Sequence, residues 1–226
     1  MIAQDYRFED HQDALEKLMN EIMMRHLDLH NAIVLATSLS GIQYANTLAS
    51  KFHTDRDFLF SGSIYAPLNR ECEIALVSEG MDIIMHEKLI QAFGISLDYV
   101  YGEAKRVYEE EILSKIYKFR KGNMLKSLAH KNVLLVDQGI ETGITAGLAI
   151  QTCMDKQAKS ISVLTPILPK SVEENLSLIC DNVVSVYRPD FFVSIEHHYK
   201  KPLKLSAAEI EAFFSDSSKP IHKGES

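Results

Sequence analysis

An α/β fold, a mostly parallel sheet with helices on both faces, follows from three observations. Short apolar runs at 32–36 and 133–136, and the mostly apolar runs 161–164 and 183–186, each with one serine, read as strands, the continuous ones as strands buried on both faces. Between them lie stretches whose apolar residues recur every three or four positions, the pattern of helices with one buried stripe. The two kinds of segment alternate along the chain, and parallel strands need such crossover helices.

The elements follow in order. Ala14, Leu15, Leu18, Met19, Ile22 and Met23 form an apolar stripe and predict a helix over 10–27. Asn31 opens the strand 32–36. A small-residue loop, Thr37-Ser38-Leu39-Ser40-Gly41, leads into a helix over 42–51. Phe58-Leu59-Phe60 is a third apolar run, broken by Ser61-Gly62-Ser63. Pro67 and Asn69 predict a loop over 66–71. A strand over 73–78 and a partner over 81–85 make a hairpin around Glu79-Gly80. Val100, Ala104, Val107, Tyr108, Ile112, Ile116 and Phe119 predict one long helix over 95–121, with Gly122 just past its end. After the strand 133–136 come a helix from Ala146, a strand 161–164, a helix 172–179 and a strand 183–186. The terminal helix, 205–214, has Ser206 as N-cap and Glu209 as its capping-box partner. The last ten or so residues are polar and expected to fray.

Composition narrows the function. The chain has 226 residues, 46% of them hydrophobic, enough for one sizeable domain. A net charge of −7 provides no basic surface for nucleic acid or anionic membrane. An acidic protein that takes an anionic ligand must do so locally, with backbone amides and a metal ion. No apolar run reaches the ~20 residues of a membrane span. Cys72, Cys153 and Cys180 form no CxxC pair, and Met1 to Tyr6 lack the pattern of a secretory leader, so a cytoplasmic protein with reduced thiols is expected.

The stretch 133–145, Val-Leu-Leu-Val-Asp-Gln-Gly-Ile-Glu-Thr-Gly-Ile-Thr, carries the chemistry. A buried strand ends in polar Asp137-Gln138-Gly139. A loop of hydroxyls and glycine, Thr142-Gly143-Ile144-Thr145, then opens a helix. Free backbone N–H groups and the helix dipole favour an anion there. Ligands of open α/β sheets sit at such carboxyl ends of strands.

This stretch resembles the phosphoribosyl-diphosphate (PRPP) signature of type I phosphoribosyltransferases. Ala66-Pro67-x-Asn69, Glu73-Ile74-Ala75-x-Val77-x-Glu79-Gly80, and Tyr187-x-Pro189-x-Phe191-Phe192 with Tyr199 resemble a bacterial subgroup of that family. The resemblance spans about residues 5–215. It implies a parallel sheet of about five strands flanked by helices, with a small hood, as one domain over 1–215 and a polar tail over 216–226. It implies transfer of phosphoribosyl from PRPP to a small nitrogenous, nucleobase-like acceptor, with Mg2+ as cofactor, in a homodimer. On the same resemblance, Asp137 and Gln138 hold the ribose, and Asp137 also the metal. Glu141, Thr142, Gly143, Ile144 and Thr145 hold the 5′-phosphate. Ser38, Leu39, Ser40 and Gly41 face the pyrophosphate. Asp190, Phe191 and Phe192 face the acceptor, or else the two rings pack in the core or hood. Some purine-specific relatives have an acid at the position of Glu141, which makes it a candidate general base; the alternative is a solvated loop carboxylate.

Three departures bear on activity. Gln138 replaces the second acid. Ser38-Leu39-Ser40-Gly41 replaces Pro-Arg-Gly-Gly, and Gly62-Ser63 replaces Arg-Lys. Leucine cannot pair with a phosphate as arginine does. Arg70 or cations of a neighbouring subunit are the candidate substitutes. The other function on the same fold is a non-catalytic regulatory protein that binds PRPP or a nucleotide monophosphate.

Other candidates read as structural. Adjacent His197 and His198 on a strand would point to opposite faces. His26 and His30 suit a helix end. Cys153 reads as a buried thiol, and the run Glu109 to Glu111 as a solvated helix face. GxSxG, GxGxxG and GxxxxGK[ST] motifs are absent from the sequence.

Overall fold

A computed structural model describes residues 7–217. Helix α1 (His11–Met24) starts at Asp10, whose carboxylate accepts from the amides of Gln12 and Asp13, both at 3.1 Å. Strand β1 (Ala32–Ala36), helix α2 (Gly41–Phe52) and strand β2 (Asp55–Phe58) follow. Strands β3 (Ser61–Ala66), β4 (Asn69–Ser78) and β5 (Ile83–Met85) form a separate antiparallel sheet. Helices α3 (Glu87–Ala92), α4 (Leu97–Val107) and α5 (Leu113–Arg120) come next, then strand β6 (Asn132–Val136) and helix α6 (Ile144–Asp155). Strand β7 (Ser160–Ile167), helix α7 (Lys170–Leu176), strand β8 (Asn182–Tyr187) and helix α8 (Ala207–Ser217) complete the order.

The main sheet has the order β2-β1-β6-β7-β8 and every pair is parallel, the five-stranded sheet expected. Its strands alternate between two cores. Val34, Ala36, Leu134 and Val136 face α1 and α2, while Ile33, Leu35, Val133 and Leu135 face α6 and α7. Burial on both faces explains why the runs read as continuously apolar. Register then places the site. Ala36 pairs with Val136, so the chain leaves both strands at the same level, and the loops at 37–41 and 137–143 emerge side by side.

Three expectations need correction, and one element was not expected. Ser61-Gly62-Ser63 is not a break but the start of β3. Gly62 is buried there, and an added Cβ would stand 2.3 Å from Val107 Cγ1, so the small residue lets a helix lie directly on the strand. The expected loop over 66–71 shrinks to the two residues between β3 and β4, with exposed Leu68 at φ +64°. The helix expected over 95–121 is interrupted by a π turn, Tyr108–Ile112, which carries the exposed Glu109 to Glu111. Helix α3 had no expectation; six residues with one buried side chain leave little periodic signal. The capping box is present: Glu209 accepts from the Ser206 amide at 2.8 Å, and Ser206 Oγ accepts from the Glu209 amide at 3.2 Å. The tail over 216–226 lies almost wholly outside the described residues.

Candidate functional site

Asp137 leaves the end of β6 and is met at once by the loop after β1. Its Oδ1 accepts from Ser38 Oγ at 2.6 Å, Ser40 Oγ at 3.1 Å and the Gln138 amide at 2.7 Å. Among the described residues, its Oδ2 accepts only from Thr37 Oγ1, at 3.1 Å. Burial raises the Asp137 carboxyl above the usual carboxylate range, and these bonds oppose the rise. The approach of the loop depends on Gly41, where an added Cβ would stand 2.7 Å from the Val136 carbonyl oxygen. Leu39 projects into solvent at the loop tip.

The Thr-Gly loop forms the opposite wall. Gly143 takes φ +79°, a left-handed conformation, and as the N-cap residue of α6 it has no side chain to bond the helix amides. Thr142 Oγ1 accepts from the Ile144 amide at 3.4 Å. A cavity of about 250 Å3 lies between the walls, lined by Thr37, Asp137, Glu141, Thr142, Gly143 and Thr145, with Gly139, Ile140, Ala146 and Ile195. No basic side chain is among these ten. A larger cavity of about 680 Å3, bounded by Ile84, Met154 and Ile179, lies on another face of α6 and has no residue in common with the first.

The remaining expected residues divide. Gln138 is buried and does not line the cavity; its backbone carbonyl accepts from Tyr199 Oη at 2.9 Å, and that hydroxyl stands 3.2 Å from Tyr44 Oη. Glu141 accepts from the Ile195 amide at 3.2 Å. Asp190, Phe191 and Phe192 do not line the cavity. Phe191 is 91% exposed, while Phe192 packs against the cluster of Phe8, Ala14, Ile167 and Tyr199 and its ring lies 5.7 Å from that of His198. Arg70 acts on Glu103 of α4 and does not line the cavity. Gly62 is packed under Val107 and likewise lies outside it.

Sequence reasoning missed Ile195 and the Tyr44–Tyr199 pair. Tyr199 stood in a quoted motif without a role, and Ile195 sits in an irregular segment with no periodicity to mark it. His197 and His198 lie in a 3-10 turn rather than a strand, with His198 buried and its Nε2 without a hydrogen-bond partner among the described residues. No group of three or more His, Cys, Asp or Glu suited to a metal occurs among the described residues. Cys153 is buried, which pushes its thiol up to about 12. No described helix is long and apolar enough to cross a membrane.

The chain matches no family model. It is similar to two curated proteins from Mycobacterium tuberculosis strains, each named "Putative phosphoribosyl transferase", with 24% identity over 207 residues, 91% of this chain and 46% of each relative. The chain thus spans about half the length of the curated relatives it matches. A crystal structure of a Thermus thermophilus protein superposes with a TM-score of 0.75 at 20% identity, covering 94% of this chain and all of that one. In sequence the chain is similar to mycobacterial proteins named putative phosphoribosyl transferases, and its fold is a parallel five-stranded α/β sheet flanked by helices.

Proposed function

We propose that this chain binds PRPP and transfers its phosphoribosyl group to a small nitrogenous, nucleobase-like acceptor, releasing pyrophosphate. The observation that carries the reading is the cavity shared by Asp137 and the Thr142–Thr145 loop at the carboxyl ends of parallel strands. The amides opening α6 and the hydroxyls of Thr142 and Thr145 donate to the 5′-phosphate. Gly143, with no side chain, lets that phosphate approach the backbone. Asp137 accepts from a ribose hydroxyl. The Ser38–Gly41 loop faces the leaving group with hydroxyls and amides. The acceptor nitrogen bonds to C1 of the ribose, and the C1–O bond breaks with its electrons going to pyrophosphate. The proton displaced from the acceptor leaves to solvent or to a nearby carboxylate.

Mg2+ suits the donors present. Among the described residues Asp137 Oδ2 accepts a single hydrogen bond, which leaves it a lone pair, and a carboxylate oxygen beside ligand phosphates is a usual Mg2+ environment. Asp137 would hold the ion together with the ligand's own oxygens, and the ion would stabilise charge on the leaving pyrophosphate. A second copy of the chain is the proposed source of the cations that the loop at 38–41 lacks.

One observation favours a second reading, a regulatory protein that binds PRPP or a nucleotide monophosphate without turnover. The cavity has two carboxylates and no basic side chain, and three hydroxyls already hold Asp137. Calorimetry with PRPP, with and without Mg2+, followed by a pyrophosphate-release screen across nucleobases, separates the two. Mg2+-dependent binding with turnover supports the enzyme. Monophosphate binding without turnover on any base supports the regulator. No binding of either ligand at millimolar concentration refutes both.

A further inference from the structure

The segment after β8 closes one side of the cavity, and it does so with an unexpected residue. Residues 188–195 contain no helix or strand, yet both ends are held. At the far end, Tyr199 is buried beneath Phe8 with ring centroids 5.1 Å apart, and its hydroxyl donates to the Gln138 carbonyl. The amide of Phe8 donates to the His198 carbonyl at 3.0 Å, and the amide of Lys200 to the Phe8 carbonyl at 2.9 Å. Before this anchor, Ile195 reaches the turn after β6. An added Cβ on Gly139 would stand 2.8 Å from Ile195 Cγ1 and 2.9 Å from its Cγ2. Ile195 lines the cavity, whereas Phe191 and Phe192 do not. Its backbone amide donates to Glu141 Oε1, which links the segment directly to the Thr-Gly loop.

We propose that Glu141 is a positioning residue that latches this segment, and that Ile195 is the specificity-determining wall of the cavity. A carboxylate that accepts the Ile195 amide holds the aliphatic side chain over Gly139 and beside the Thr-Gly loop. Phe191, 91% exposed, leaves the ligand-facing surface to an aliphatic residue. The ligand-facing half of this proposal rests on the phosphoribosyl reading of the cavity. The latch itself does not.

Hydrogen exchange of the 188–199 segment in the full, unliganded chain tests the latch. Loss of one charge-assisted hydrogen bond in Glu141→Ala should raise exchange about tenfold. Glu141→Gln keeps an acceptor oxygen and should restore slow exchange, a rescue that a role in proton transfer would not show. Ile195→Pro deletes the backbone donor together with the isoleucine side chain, and the native φ of −59° suits proline. It should exchange at least as fast as Glu141→Ala, and adding Glu141→Ala to it should raise exchange no further, because the hydrogen bond is already gone. Unchanged exchange in Glu141→Ala, equal exchange in the Gln and Ala variants, or additive effects in the double variant each overturn the latch.

Calorimetry with ribose 5-phosphate tests the wall. Ile195→Ala should weaken binding about tenfold through lost apolar contact, and Ile195→Val much less. An unchanged affinity in Ile195→Ala overturns the wall. If the wild-type protein fails to bind ribose 5-phosphate at millimolar concentration, the phosphoribosyl reading and the wall fall together. The exchange experiment still decides the latch.

Discussion

Gly143 holds the phosphate loop in a conformation that other residues resist. At φ +79° an alanine is strained, and its Cβ would stand 2.8 Å from Val172 Cγ1. Gly143→Ala should lower stability by about 1–3 kcal/mol in urea unfolding and abolish ribose 5-phosphate binding in calorimetry. Asp137 makes a prediction in pH. Its folded carboxyl titrates above the unfolded one because burial disfavours the charged form. The folded state therefore binds more protons than the unfolded state between the two values, and stability falls as pH rises through that window. Asp137→Asn removes the buried charge. Its melting temperature should exceed that of the wild type at pH 7, and the gap should close as pH is lowered toward the unfolded value near 3.8. A gap that stays constant with pH would show that the charge is not the cause.

At the scale of elements, the close contact between β3 and the π turn decides how the smaller sheet sits. Gly62 lies under Val107 and Ile112, at 2.3 and 3.6 Å from where its Cβ would be. The π turn adds a residue to the helical path and leaves Ile112 buried while Glu109, Glu110 and Glu111 stay in water. Arg106 pairs with Glu103 and Glu110, both at 2.7 Å, but these exposed pairs contribute little to stability. Packing, not charge, fixes this contact. Gly62→Ala should lower the urea midpoint by the equivalent of about 1–3 kcal/mol through overpacking, while Glu110→Ala should leave it nearly unchanged.

Across the whole molecule, one buried ion cluster joins the two sheets. Arg120 at the end of α5 pairs with Glu79, from the β4–β5 turn, and reaches Asp57 of β2 at 3.8 Å. None of the three is more than 6% exposed. Glu79 also accepts from the Phe60 amide at 2.9 Å, Asp57 accepts from the Lys126 amide at 2.9 Å, and the guanidinium lies over the Phe60 ring. Burial raises the Glu79 carboxyl, and Arg120 counters it. Removing the one cation would leave two buried carboxylates facing each other. Arg120→Met should therefore cost about 3–5 kcal/mol in urea unfolding. A cost below about 1 kcal/mol would mean that the three groups are not locked together.

Much of this molecule is legible in its sequence. The strands at 32–36 and 133–136 are continuous apolar runs because both faces are buried. The helix stripes and the Ser206–Glu209 capping box are local patterns with local physical causes, and the phosphate loop is written in neighbouring residues, Asp137 to Thr145. The sequence therefore determined the α/β class, the main strands and the loop at which a phosphoribosyl group is proposed to bind. The tertiary structure decided what depends on residues far apart in the chain. Parallel register between Ala36 and Val136 brought Thr37, Ser38 and Ser40 onto Asp137 across about a hundred positions. Pairing with β4 made a strand of Ser61-Gly62-Ser63, and chain return after β8 put Ile195, rather than Phe191, against the cavity. Local propensity and periodicity report the neighbours along the chain. Which distant hydroxyl, amide or side chain meets a given carboxylate is set only when the sheet order and the return of the chain are complete.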